Sequence, residues 1–65
     1  MQITVNGTSH DLTATTVADA LKELGYGEAR VATALNEAFI PAPSRATTEL
    51  TQGDRLEVVA PMQGG

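Results

Sequence analysis

The chain has no cysteine at all, which excludes disulfides, a thiol nucleophile and any cysteine-based metal site. It has one histidine, His10, and with neither a cysteine nor a second histidine to join it, His10 is read as a surface or pairing residue and no metal site is expected. Basic residues are few. Lys22, Arg30, Arg45 and Arg55 are spread along the sequence with no cluster that can track a phosphate backbone, so no nucleic-acid partner is expected. The formal net charge of -4 favours instead a basic protein surface as partner. No apolar run approaches the ~20 residues needed to cross a bilayer and no secretory leader is recognisable. A cytoplasmic protein with no membrane partner is the expectation. Sixty-five residues allow one small core, and not a substrate cleft with its catalytic apparatus besides. The chain is therefore expected not to be an enzyme, and no catalytic residue is assigned.

Regular structure is written plainly into what remains. "MQITV" sets Met1, Ile3 and Val5 on one face and Gln2 and Thr4 on the other, the period of a half-buried strand. Asn6-Gly7 accepts positive φ at both central positions of a type I′ turn, so "MQITVNGTSHDL" predicts an antiparallel hairpin. In "TTVADALKELG" Thr16 is the expected N-cap, with Asp19 three residues on in an approximate capping box. Val17, Ala20, Leu21 and Leu24 form the apolar stripe of a short helix, and Gly25 supplies the left-handed residue past its end. The exposed side of that helix, with Asp19, Lys22 and Glu23, is read as an ordinary solvated face.

After the polar connection "YGEAR", "VATALN" alternates Val31, Thr33 and Leu35 against Ala32 and Ala34 and reads as a third strand. "AFIP" is a brief fourth, stopped by Pro41 and suited to a sheet edge. Gln52-Gly53-Asp54 is a turn, and "RLEVVA" is the last strand, with Leu56, Val58 and Ala60 opposed to Arg55, Glu57 and Val59. Asp54 reads as a turn former and Glu57 as a solvated strand residue, not as a catalytic carboxylate pair. No repeat, low-complexity stretch or linker divides the chain. A hairpin, a helix and then further strands, with the helix as crossover between parallel first and last strands, predict an α+β β-grasp: a mixed sheet of four to five strands on one main helix. Residues 1–60 form the domain, and 61–65 are expected to be a flexible diglycine tail.

That tail, "APMQGG", poses the functional question, because two glycines at an end contribute little to stability. "MQITVNG", "ALNEAFIP" and above all "LTQGDRLEVVAPMQGG" resemble the thiamine-biosynthesis sulfur carrier proteins of bacteria (ThiS), members of the ubiquitin-like β-grasp group. The resemblance spans essentially the whole chain. It departs from the family pattern in "PAPSRATTEL", where relatives carry a proline-basic-x-x-aromatic segment and this chain has Arg45 and no aromatic.

The resemblance implies that Gly65 carries the reacting carboxylate. An E1-like adenylyltransferase of the ThiF type would use ATP to form an acyl-adenylate there, sulfur from a persulfide donor such as a cysteine desulfurase would replace the adenylate, and the resulting thiocarboxylate would supply a thiazole synthase of the ThiG type. No cofactor is bound by the carrier itself. Gly64 and Gln63 belong to the threaded tail, since residues without Cβ let backbone pass a narrow channel. Four residues past Pro61, extended at about 3.3 to 3.6 Å each, reach roughly 13 to 14 Å. Val59, on the strand face opposite Leu56 and Val58, is expected to form an apolar docking patch with Met62 and Phe39. The same fold and tail would also serve the small subunit of molybdopterin synthase, a ubiquitin-like modifier, or an interaction domain whose tail is idle.

Overall fold

The computed structural model describes residues 1–27 and 29–60. Its strands are β1 (Gln2–Val5), β2 (Thr8–Asp11), β3 (Ala32–Leu35), β4 (Ala38–Ile40) and β5 (Arg55–Val59), with one α-helix, α1 (Val17–Glu23). They form a five-stranded sheet in the order β2-β1-β5-β3-β4, in which β1 and β5 are parallel and the other neighbours antiparallel. The expected crossover topology is present, with the last strand at the centre and β4 at an edge, where Pro41 interrupts no ladder.

Each local signal has its structural counterpart. Asn6 and Gly7 take φ of 50° and 84° and turn β1 into β2. The Thr16 hydroxyl accepts a bond from the Asp19 N–H at 3.2 Å and caps α1. Among the described residues Asp19 returns no bond to Thr16. Residues 15–17 are instead stitched to 48–50, through Leu50 N–H to the Thr15 carbonyl and Val17 N–H to the Thr48 carbonyl. At the other end Gly25, at φ 93°, donates to the Lys22 carbonyl and Tyr26 to the Leu21 carbonyl, the two bonds of a Schellman cap.

The core lies between α1 and one face of the sheet. Ile3, Val5, Leu56 and Val58 come from the sheet, Val17, Ala20 and Leu21 from the helix, and Leu12, Ala14 and Leu50 from connections. The connection residues carry no periodic signal, and their burial is decided by where the chain crosses the core. Leu24 is only half-buried, at the rim of the stripe.

Two segments differ from the sequence reading. "APSRAT" forms a 3₁₀ helix over Ala42–Thr47 beside α1. Pro41 and Pro43 restrict φ without preventing this tighter, short helix. Glu23, read as part of a solvated face, in fact reaches across to the 13–14 backbone. Its carboxylate accepts the Thr13 N–H at 3.0 and 3.1 Å, the Ala14 N–H at 2.9 Å and the Thr13 hydroxyl at 3.1 Å. The Thr13 N–H, followed by the Ala14 N–H and the Thr13 hydroxyl, holds this carboxyl below its ordinary 4.5.

Candidate functional site

The sheet face that α1 leaves open holds the residues of interest. Direct cross-strand partners share a face, and the register aligns Phe39 with Ala34 and Ala34 with Glu57 in one row, and Ala32 with Val59 in the next. Phe39 is 68% exposed and Val59 65%, the two large exposed hydrophobics of the described chain. The alanines between them supply only a methyl group each. The result is a hollow of about 240 Å³ walled by Phe39 and Val59, floored by Ala32 and Ala34, and bordered by Asn6 and Glu57.

The sequence placed Phe39 and Val59 together on an open face, and the structure does so. Met62, Gln63, Gly64 and Gly65 lie outside the described residues. Neither an exposed phenylalanine nor a valine is unusual singly, but two that flank a recess in one sheet face form a surface rather than a scatter. The residues beneath that surface are ordered. Thr33, on the covered side of β3 and 2% exposed, donates its hydroxyl to the Ile40 carbonyl at 2.9 Å and accepts the Arg45 Nε–H at 3.1 Å. No buried side-chain polar atom lacks a partner among the described residues.

Strand β5, which leads to the tail, is held at both ends by asparagine side chains. Asn6 donates through Nδ2 to the Val58 carbonyl at 3.0 Å and accepts the Val58 N–H at 2.8 Å. Asn36 accepts the Arg55 N–H at 2.9 Å while its Nδ2 donates to Asp54 at 3.0 Å. Each amide continues a ladder where the neighbouring strand turns away. Asp54 is thus more than a solvated turn residue, since its second oxygen also accepts the Thr51 N–H at 2.8 Å. Asn6 was legible as a turn residue and Asn36 only as the end of the third-strand run, and the grip of each on β5 spans some fifty and nineteen positions of sequence and leaves no local signal.

Among the described residues there is no cluster of metal-ligating side chains and no helix long and apolar enough to cross a membrane. His10 sits in β2 opposite Ile3, a pairing residue. What the geometry presents is a packed sheet and helix with an apolar recess on the open sheet face, next to the strand from which residues 61–65 continue in sequence.

Comparison with known proteins agrees with this architecture. The crystal structure of a thiamine biosynthesis protein (ThiS) from Geobacter metallireducens is 28% identical and superposes with a TM-score of 0.83 over all of both chains. A solution structure of a thiamine biosynthesis protein from the same organism is 26% identical, with a TM-score of 0.81 over all of this chain and 88% of the other. The chain is also 35% identical over 66 residues to a thiazole synthase of Paramagnetospirillum magneticum, of whose length it spans 20%. The model of the ThiS family matches residues 3–65, the Gly64-Gly65 pair included. With its five-stranded mixed sheet, its single main α-helix and that match, the chain belongs to the ThiS family of ubiquitin-like β-grasp sulfur carriers.

Proposed function

We propose that this chain carries sulfur for assembly of the thiamine thiazole, with Gly65 as the terminal residue that bears it. The observation that supports this most directly is the family match running through Gly65 on a body whose central strand leads into the tail. A free carboxylate resists nucleophiles, so it needs a leaving group. An E1-like adenylyltransferase joins the Gly65 carboxylate to the AMP moiety of ATP and releases pyrophosphate. The terminal sulfur of a persulfide donor then attacks the acyl carbon, AMP departs, and a thiol cleaves the remaining S–S bond to leave the thiocarboxylate on Gly65 and a disulfide behind. The carrier supplies no catalytic group to these steps. It contributes the reactive end and the address, acting as a co-substrate of its partners. A thiazole synthase is the acceptor, a reading supported by the similarity to a longer protein of that name.

Phe39 and Val59, with Met62, are the docking residues in this reading, and Gln63 and Gly64 are the part threaded into the partner. Intact-mass measurement of the protein from cells limited for thiamine tests it. One oxygen replaced by sulfur on the peptide ending in Gly65 is expected, and sulfur elsewhere on the chain, or none in those cells, overturns the carrier role. The absence of cysteine leaves no competing thiol for that assignment. Deleting Gly64 and Gly65 should abolish ATP-pyrophosphate exchange with the adenylyltransferase while the melting temperature stays unchanged, because both lie beyond β5 in sequence.

A further inference from the structure

A second recess adjoins the docking face, and its chemistry differs. Arg30 and Arg45 line a groove of about 580 Å³ whose other described walls are Ala29, Val31, Ala32, Ala42 and Val59. Two of the four basic residues of a chain with net charge -4 thus border one apolar groove, and no acidic residue lines it among those described. The two guanidinium groups are differently held. Arg45 is half-buried and fixed, donating through Nε to the Thr33 hydroxyl and through Nη2 to the Val31 carbonyl, and among the described residues the other N–H donors of its fork are uncommitted. Arg30 is exposed. Neither forms an ion pair with a described carboxylate, the pairs present being Met1 with Asp11 and Arg55 with Glu37.

Position makes the groove informative. It shares Ala32 and Val59 with the hollow beside Phe39, so the two recesses lie next to each other on the same sheet face. Val59 is the last residue of β5. The groove therefore lies beside the end of the strand from which residues 61–65 continue in sequence. An arginine pre-set by hydrogen bonds loses little further side-chain freedom when it meets a carboxylate.

We infer that the groove between Arg30 and Arg45 seats an acidic side chain, carried on an apolar segment, of the enzyme that adenylates Gly65. This deepens the sulfur-carrier reading and rests on it. Paired charges at an interface rim act mainly on encounter and on salt dependence, while the apolar hollow supplies the buried contact.

The test is a titration of the full chain against its ThiF-type adenylyltransferase, with pyrophosphate exchange measured at saturating carrier. Arg30→Glu is expected to weaken binding about tenfold at about 0.15 M salt, with the loss shrinking toward 1 M and the saturated exchange rate unchanged. Lys22→Glu makes the same charge change on the exposed face of α1 and should alter affinity less than about twofold. Arg45→Met, which keeps the stem and removes the guanidinium, should follow Arg30→Glu. Should Arg45→Met fail to fold because Thr33 and Val31 lose their partner, the Arg30→Glu and Lys22→Glu pair still decides. Equal effects of those two, or no effect of Arg30→Glu, overturn the groove while leaving the carrier reading intact. A wild-type chain that the enzyme does not adenylate at all overturns the carrier reading, and the groove with it.

Discussion

The two hairpins flank β5 almost symmetrically, β1–β2 on one side and β3–β4 on the other, yet they do different work. The first supplies Ile3 and Val5 to the core, both buried. The second covers its inner side with Thr33 and half-buried Leu35, and turns Ala32, Ala34 and Phe39 outward. Both reverse at an asparagine with φ of 50°, and both asparagines hold β5 through their side-chain amides. The first turn continues with Gly7, which adopts φ 84° without strain, and the second with Glu37, which at φ 73° carries a Cβ in the left-handed region. One half of the sheet is built for stability. The other is built of small residues that leave room for a partner, and it tolerates local strain.

Substitutions in the two hairpins sharpen this division. Ile3→Ala should cost about 2 to 5 kcal/mol in urea unfolding, a large share of the stability of so small a domain. Phe39→Ala, by contrast, should move stability by less than about 0.5 kcal/mol and weaken docking to the adenylyltransferase by about 2 kcal/mol, roughly thirtyfold. A Phe39→Ala chain that melts early yet binds normally would break the comparison.

The asparagines separate more finely. Asn6→Ala leaves the part-buried Val58 N–H and carbonyl without their partner and should cost about 2 kcal/mol, whereas the exposed bonds of Asn36 make Asn36→Ala about half as damaging. Equal losses in chemical denaturation would show that the two turns are energetically equivalent after all. Glu37→Gly relieves the left-handed Cβ at the expense of an exposed ion pair with Arg55 at 3.6 Å, and should raise stability by about 0.5 kcal/mol. A fall in melting temperature would mean that the ion pair outweighs the strain.

The smallest effect belongs to neither hairpin and is read from pH. Glu23 has its folded-state pKa lowered, chiefly by the Thr13 N–H, so its stabilisation is fully present above the ordinary value of 4.5 and is lost as pH falls through the folded value. Glu23→Gln should therefore melt below the parent at neutral pH and approach it as the solution is acidified below 4.5. Parallel melting curves across that window would remove the carboxylate from the account.

The strands, the α-helix with its cap, the Asn6-Gly7 turn and the outward side of Val59 were all decided by residues within a few positions of one another, whereas Phe39 meets Val59 across one face only because β3 lies between β4 and β5. Alternation, capping chemistry and left-handed turn residues are properties of neighbours, and they survive without knowledge of the fold. The 3₁₀ helix over Ala42–Thr47, the burial of Leu12 and Leu50, the Glu23 tie to Thr13 and Ala14, and the hold of Asn6 on Val58 were decided only by the tertiary structure. Each joins groups whose meeting depends on how the chain crosses the sheet. Arg45 is the sharpest instance: in sequence it is a lone cation in a loop, and only the approach of that loop to β3 gives it Thr33 and Val31 as partners and a place on the groove at the end of β5.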